Sequence, residues 1–224
     1  MKLKTPVLIV NFKTYEEGTG TNALRLAKIC EQVSLRSKKS IVIAVQPTDI
    51  FRIQSIVKIP VIAQHIDPVG FGMFTGSVTV AAVKGSDAVG TLINHSEKRM
   101  GIKDIKEAVK LAKADGLLTV VCSPSPEYNK QVVMFSPDFI AYEPPELIGG
   151  KISVSKAKPG LIKKAFDIVN NAKNKAKLIV GAGIHTKEDV AKSLELGAVG
   201  VLVASGVVKA KDPKKVLEDL VSVM

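Results

Sequence analysis

Short runs of apolar, mostly β-branched residues recur along the chain and are separated by more polar segments. A parallel strand in an α/β protein is buried on both faces, so it is a continuous apolar run and not an alternating one. The pattern therefore predicts eight buried parallel strands. Their predicted bounds are Val7–Asn11, Ile41–Val45, Val61–Ala63, Ala88–Ile93, Leu117–Val121, Phe139–Glu143, Leu178–Val180 and Val199–Val203.

Segments with helical spacing lie between several of these runs. Apolar residues recur there every three or four positions, which leaves one face of a helix apolar. Three such sets are Ala23, Leu26, Cys30 and Val33; Ile102, Ile105, Val109 and Ala112; and Ile162, Ala165, Phe166 and Val169. Asp212 before Pro213 suits a helix start, and Thr186 with Asp189 resembles a capping box.

The number of strands points to a (β/α)₈ barrel. The 224 residues divided by eight give 28 residues for each strand–helix unit. Such barrels average about 250 residues, so some outer helices are expected to be shortened or absent, above all in 47–58 and after Val203. We expect one domain spanning 1–224, because no low-complexity linker divides it. A doubly wound sheet would need a Gly-rich first turn, which Asn11-Phe12-Lys13-Thr14 is not.

Composition narrows the class of ligand. Lys and Arg number 32 against 21 Asp and Glu, giving a formal net charge of +11 that is spread over most predicted helices. A nucleic-acid interface needs clustered basic residues with aromatic stacking partners, but the chain has no Trp and three Tyr, so no nucleic acid partner is expected. Positive charge also raises the local concentration of small anions, which suits a phosphorylated metabolite.

Cysteine usage and hydropathy indicate the compartment. Cys30 and Cys122 lie in no pairing or zinc-binding motif, so each is expected to be a small buried residue in a reducing compartment. The apolar start at Val7–Val10 is too short for a signal sequence, and no run of 18 apolar residues occurs. We therefore expect a soluble, cytoplasmic protein with no membrane partner and no metal site.

Polar residues gather just beyond the predicted strands, where barrel enzymes place their active sites. Asn11 and Lys13 follow the first strand, His95 follows the fourth, and Glu143 ends the sixth. Singly, each has an ordinary structural explanation: a turn asparagine, a surface lysine, or a histidine before a helix that Ser96 caps. Because they lie at the same end of different strands, they are expected to converge on one small ligand.

Small residues follow the last two strands. Gly181-Ala182-Gly183 and Ala204-Ser205-Gly206 would let backbone N–H groups approach an anion, and a short helix starting at Ser205 would point its positive end at it. The glycine turn alone is a weak signal, since tight turns use such sequences often. Phosphate binding by these two loops recurs among barrels.

The segment after Glu143 combines stiff and flexible parts. Pro144-Pro145 restricts the backbone, whereas Gly149-Gly150 allows large φ/ψ changes at little cost. This combination suggests a lid beside a carboxylate that acts as general base. Taken alone, the segment is equally compatible with an ordinary strand-to-helix loop and a solvated glutamate.

Five motifs, in this order along nearly the whole chain, resemble the triosephosphate isomerase family, most closely its short archaeal form. They are Asn11–Lys13, Leu92–Arg99, Tyr142–Gly149, Gly181–Ile184 and Leu202–Gly206. The second and third are highly specific together, whereas the glycine turns add little. The resemblance implies a TIM barrel that interconverts D-glyceraldehyde 3-phosphate and dihydroxyacetone phosphate through an enediolate, in glycolysis and gluconeogenesis, without metal or organic cofactor.

The resemblance also implies catalytic roles. Glu143 would remove the proton next to the carbonyl, and Lys13 would offset negative charge on the enediolate and phosphate. His95, kept neutral by a helix N-terminus, would polarise the carbonyl oxygens, an arrangement for which this family is itself the standard example. Asn11 would donate a hydrogen bond to a substrate oxygen.

Further implied roles concern the phosphate and the surroundings of the catalytic groups. The lid, Pro144–Gly150, would exclude water during the reaction, for which this family is again the usual example. Ser96 and Glu97 would support the catalytic residues, with Glu97 orienting Lys13. The phosphate would meet backbone N–H groups near Ile148, Gly149, Gly183, Ala204 and Ser205.

The resemblance implies a partner subunit as well. In the family, Glu97 touches a neighbouring subunit's loop after strand three, which corresponds to 70–76 here. That loop carries Phe71, Met73 and Phe74, and exposed apolar residues are better explained by insertion into a partner than by solvent. We expect a homo-oligomer, at least a dimer, with a tetramer favoured by the archaeal resemblance.

The chain departs from the family at the lid hinge. The short form usually continues as Gly-Thr-Gly, whereas this chain has Gly149-Gly150-Lys151. A second glycine should loosen the hinge and make closure entropically costlier.

Two rival functions remain open on the residues alone. A Schiff-base aldolase needs a desolvated lysine near the carbonyl, usually from a late strand, but the sixth strand ends in Glu143. A non-catalytic basic barrel that binds nucleic acid is the other rival.

Overall fold

Eight parallel strands form a closed barrel in the order of the chain, with the last strand pairing with the first. The structure is a computed structural model, and it describes residues 3–144 and 159–224. The predicted (β/α)₈ barrel is confirmed. The strands are β1 Val7–Asn11, β2 Ser40–Val45, β3 Val61–Ala63, β4 Gly90–Ile93, β5 Leu118–Ser123, β6 Phe139–Tyr142, β7 Lys177–Val180 and β8 Gly200–Val203.

Helices connect the strands, and several are short, as the lean chain length predicts. In the described residues they are α1 Gly20–Ser37, α2 Ile50–Gln54, α3 Val80–Gly85, α4 Ile102–Ala114, α5 Pro126–Val132, α6 Pro159–Asn170, α7 Lys187–Glu195, α8 Ser205–Val208 and α9 Pro213–Val221. The weak helices expected in 47–58 and after Val203 are α2 and α8. None of the described helices is long and apolar enough to cross a membrane.

Two strand bounds differ from the predicted ones by two residues, and the other bounds agree with the prediction to within one residue. β4 begins at Gly90 and not at Ala88, because the Ala88 N–H group bonds to the Val83 carbonyl and belongs to the turn after α3. β5 continues to Ser123, two residues beyond its predicted end, because Cys122 and Ser123 still pair with β6.

Strand residues alternate between two apolar layers. Val7 and Ile9 pack inside the barrel, whereas Leu8 and Val10 pack in the layer beneath the helices. This division explains why each strand is apolar on both faces. The alternation places the next inward position of β1, Asn11, at the mouth of the barrel, where its side chain is buried.

The helices bury the predicted faces. All four apolar residues of the first predicted set are buried on α1. At α7, the Thr186 and Asp189 side chains form the expected capping box, and at α9 the Asp212 carboxylate accepts the Lys215 N–H group at 3.0 Å. Caps of this kind satisfy backbone donors that a helix start leaves unpaired.

Candidate active site

The loop after β1 holds Lys13 in a backbone conformation that side chains rarely adopt, with φ at +49°. The Lys13 N–H group donates to Oδ1 of Asn11 at 3.0 Å. The Lys13 carbonyl accepts a hydrogen bond from Nε2 of Gln64 at 2.9 Å. These two side chains fix the lysine backbone, and the Nζ atom reaches Oε1 of Glu97 at 2.7 Å. The structure therefore places Glu97 in an ion pair with the Lys13 ammonium group.

His95 lies two residues beyond β4 in a turn, not at the start of a helix. Asn94 has φ +61° and its Oδ1 accepts the Met100 N–H group at 2.9 Å, while the Lys98 N–H group bonds to the His95 carbonyl at 2.8 Å. These bonds close a turn, and α4 begins only at Ile102. The prediction that Ser96 caps a helix, and that a helix N-terminus keeps His95 neutral, is therefore wrong.

The neutrality of His95 has another cause. Burial is the largest influence and lowers the pKa of His95 to about 4, with Lys13 and Arg99 acting in the same direction and Glu97 opposing them. The Glu97 N–H group donates to Nδ1 at 3.2 Å, so the hydrogen of the neutral ring belongs on Nε2. The ring therefore presents an N–H donor to the cavity near neutral pH.

Glu143 lies one residue beyond β6 and is 3% exposed. Its Oε1 atom is 3.9 Å from Nε2 of His95. Burial raises the pKa of Glu143 to about 7, although a hydrogen bond from the Cys122 thiol and the charges of Lys13 and Arg99 act against the rise. Within the described residues, Oε2 has no hydrogen-bond partner. A carboxylate kept short of partners is suited to take up a proton.

The loops after β7 and β8 complete the far end of the same cavity. Gly183, Ala204 and Ser205 all line it, together with Asn11, Lys13, His95 and Glu143. A short helix, α8, does start at Ser205. Ile148 and Gly149 lie outside the described residues, as does the lid beyond Pro144.

Ser96 stands beside the histidine, and its Oγ atom is buried with no hydrogen-bond partner in the part of the chain that the structure describes. It is thus a buried polar group at the edge of the site. The same described part contains no group of three or more His, Cys, Asp or Glu side chains that could hold a metal ion.

Sequence reasoning missed several residues of the site. Tyr15 and His185 line the cavity, and the Lys209 ammonium lies 5.4 Å from the centre of the Tyr15 ring. The sequence predicts Cys122 only as a small buried residue, whereas its thiol contacts Glu143. The two-residue alternation along β5 could have indicated this, since Cys122 is the inward position after Val120.

Known proteins are similar to this one along nearly the whole chain. A family model described as Triosephosphate isomerase matches residues 6–224. The triosephosphate isomerases of Methanothermus fervidus and Archaeoglobus fulgidus are 48% and 45% identical over 219 and 221 residues, covering 98% and 99% of this chain and 99% of each relative. A solved triosephosphate isomerase from Bartonella henselae, 18% identical, matches the fold with a TM-score of 0.77 over 98% of both chains.

The burial of Glu143 predicts a pH-dependent difference in stability between this protein and Glu143→Gln. A carboxyl group whose pKa is raised from 4.5 to about 7 by folding contributes stability that is present below pH 4.5 and lost as the pH rises through 7. The neutral glutamine does not lose it. The variant should therefore gain on the order of 3 kcal/mol relative to the parent between pH 4.5 and about 8.

Urea denaturation of both proteins at about pH 4.5, 6 and 8 measures this gain. Glu107→Gln is the matched control, because Glu107 is a partly exposed residue that pairs with Lys110 on α4. A difference between parent and Glu143→Gln that stays constant with pH would show that the carboxylate is not desolvated.

Proposed function

The chain belongs to the triosephosphate isomerase family, and we propose that it interconverts D-glyceraldehyde 3-phosphate and dihydroxyacetone phosphate with Glu143 as the base. The observation that carries this assignment is the approach of the Glu143 carboxylate to within 3.9 Å of Nε2 of a neutral His95. Lys13 and the small residues after β7 and β8 lie in the same mouth of the barrel. In the cell, the reaction serves glycolysis and gluconeogenesis.

The reaction transfers one proton between neighbouring carbons and one proton from the hydroxyl oxygen to the carbonyl oxygen, so that the two functional groups exchange places. Glu143 removes the proton from the carbon next to the carbonyl, and its pKa of about 7 makes it an effective base that can return the proton at the adjacent carbon. The Nε2–H group of His95 donates to the carbonyl oxygen and stabilises the charge that develops there. Substrate and product are isomers, so no oxidant or further reactant is consumed.

Lys13 and Asn11 supply the remaining polar contacts to the reacting part. The Lys13 side chain is 13% exposed, and its ammonium group is held by Glu97. In such a site a positive charge offsets the negative charge of an enediolate and of the phosphate more effectively than it would in water. Asn11, whose Oδ1 is engaged by the Lys13 backbone, has its amide group left to donate to a substrate oxygen.

The phosphate binds at the end lined by Gly183, Ala204 and Ser205. Backbone N–H groups can approach an anion closely there because the residues are small. Ile148 and Gly149 add contacts when the lid, Pro144–Gly150, closes and excludes water. The net charge of +11 draws the anionic substrate to the protein. Ser96 supports the catalytic residues from the turn that carries His95.

The protein works as a homo-oligomer in the cytoplasm, at least a dimer and by resemblance a tetramer. The support lies in the loop after β3, where Phe71 is 91% and Met73 100% exposed in the isolated chain. The loop is anchored at its base, since the Asp67 side chain accepts the Val78 N–H group at 2.7 Å. A fixed loop with an apolar tip is suited to insertion into a second copy. Neither metal, organic cofactor nor nucleic acid takes part in the proposed reaction.

Removing the base should abolish most turnover. Glu143→Gln and Glu143→Asp are expected to lower kcat by roughly 10³-fold, within the range typical of general bases, because one lacks the carboxylate and the other misplaces it. The inhibition constant for inorganic phosphate should stay within about 2-fold, since the phosphate contacts lie elsewhere. A coupled assay for triose phosphate interconversion, with and without chelator, measures kcat.

A glutamine variant that kept the parent kcat would show that Glu143 is not the base. The same preparations separate the rival functions. Borohydride added with substrate traps a lysine adduct only in a Schiff-base aldolase. Salt-dependent oligonucleotide binding without turnover would support the nucleic-acid-binding barrel.

His95→Gln should lower kcat by about 10²-fold and change KM by no more than a few-fold. The reason is that the Nε2–H contact strengthens as charge develops on the carbonyl oxygen, so its loss weakens transition-state binding more than substrate binding. Steady-state kinetics in both directions measure the split. An effect confined to KM would assign His95 to substrate binding alone.

The apolar loop predicts the assembly. Met73→Lys should shift the protein towards a smaller species, because a charge would have to be buried in the partner. Light scattering coupled to size exclusion measures the molar mass. Leu35→Lys is the matched control, since Leu35 is also exposed but lies on α1, outside the loop. A parent protein that is monomeric at micromolar concentration would contradict the proposed oligomer.

A further inference from the structure

Gly181 lies beside the side chain of Glu143, the proposed base, and its lack of a side chain leaves room for the Glu143 carboxylate. A Cβ atom built on Gly181 would lie 2.7 Å from both Cγ and Oε1 of Glu143 and 3.0 Å from its Cδ. Non-bonded heavy atoms of this kind are in favourable contact at about 3.5–4.0 Å. A methyl group at position 181 and the Glu143 side chain therefore cannot share the observed positions.

Hydrogen bonds fix the backbones of Gly181 and Glu143, so neither backbone can move away to relieve the collision. The Gly181 N–H group donates to the Tyr142 carbonyl at 3.0 Å, and the Glu143 N–H group donates to the Ser123 carbonyl at 2.8 Å. β6 and β7 pair in register up to this point within a closed barrel. The Glu143 side chain is the part that would have to move.

Cys122 borders the same carboxylate from β5. It is buried, and its thiol lies close enough to the Glu143 carboxylate to affect the pKa of that group. The carboxylate thus lies between a thiol from one neighbouring strand and the bare backbone of Gly181 at the end of the other. We call this space the base slot, bounded by Cys122 and Gly181.

The glycine is needed for space and not for backbone conformation. Gly183, two residues later, has φ +64°, a value that favours glycine, but Gly181 lies outside the left-handed region. A side chain at position 181 would be compatible with the backbone, and the three heavy atoms nearest to its Cβ atom all belong to Glu143.

We infer that Gly181 is a positioning residue for the reaction: by lacking a side chain it keeps open the base slot in which Glu143 faces His95. The inference rests on the proposed function, because it assigns Gly181 an effect that acts through the proposed base. Substituting alanine displaces the carboxylate from His95, and displacements of about 1 Å can cost roughly 10²-fold in rate.

The first test compares two glycine-to-alanine variants. Gly181→Ala should lower kcat by roughly 10²-fold and leave the inhibition constant for inorganic phosphate within about 2-fold. Gly90→Ala is the matched control, because its Cβ would also collide, at 2.5 Å from the Leu118 carbonyl oxygen, but at the opposite end of the barrel. The control should lower the melting temperature and keep the kcat of the folded enzyme. A Gly181→Ala enzyme with the parent kcat would overturn the inference.

A second test asks whether the effect passes through Glu143. Aspartate is one methylene shorter and leaves room for the added methyl group, so Gly181→Ala should cost less than about 3-fold when introduced into Glu143→Asp. A full further loss of about 10²-fold in that background would show that Gly181 acts elsewhere. If Gly181→Ala alone does not fold, the double variant with Glu143→Asp replaces it: a folded double variant would support the inference, because aspartate relieves the collision, and an unfolded one would overturn it.

Two readouts separate this inference from the proposed function. In Gly181→Ala the acid limb of the kcat/KM profile should move to lower pH, because a displaced carboxylate is better solvated and easier to ionise; an unchanged limb counts against the inference. The pH-dependent stability gap to Glu143→Gln should shrink as well, and this is measurable without any turnover. Absence of isomerase activity in the parent refutes the proposed function alone, whereas an active parent with an equally active Gly181→Ala variant refutes the inference alone.

Discussion

The desolvation of one carboxylate is the constraint on which the site depends. Glu143 is buried and its pKa is raised to about 7, which makes it a proton acceptor of moderate strength at neutral pH. The same dry surroundings lower the pKa of His95 to about 4. Burial thus favours the neutral form of both Glu143 and His95. The two groups can therefore accept a proton from a substrate and donate a hydrogen bond to it without first forming a buried ion pair with each other.

The barrel provides that desolvation through strand register. Inward positions alternate with outward ones, so Ile9, Ala141 and Ile179 lie in the barrel interior. Two residues after them come Asn11, Glu143 and Gly181, the next inward positions at the mouth. These residues therefore form the top layer of the barrel interior, and the layers below them are apolar. A shift of one residue in any of these strands would turn the polar group towards the helices.

The sequence was sufficient to predict the architecture because the same pattern of an apolar strand followed by a polar segment repeats along the chain. Eight apolar runs, helical spacing as on α1, and caps such as Asp212 all lie where the pattern predicts. The convergence of Lys13, His95 and Glu143 also followed, since parallel strands end at one edge. The prediction that was wrong concerns one short segment. Asn94 adopts a left-handed conformation and its side chain takes the Met100 N–H group, so the expected helix at Ser96 becomes a turn. The base slot was invisible for a different reason: it depends on distances between atoms of three strands, which no single-strand pattern contains.

Lys13 is held by two kinds of attachment, which respond differently to the ionic strength of the solution. The Nε2 atom of Gln64 donates to the carbonyls of Lys13 and Ala44, at 2.9 and 3.2 Å, so neutral bonds tie the backbone of the lysine to the barrel wall. The ammonium group is instead held by Glu97, whose side chain is 58% exposed. Dissolved ions screen an exposed charge pair and leave neutral bonds almost untouched. An increase in ionic strength therefore weakens the hold on the Lys13 ammonium group, whereas the backbone of Lys13 stays in place.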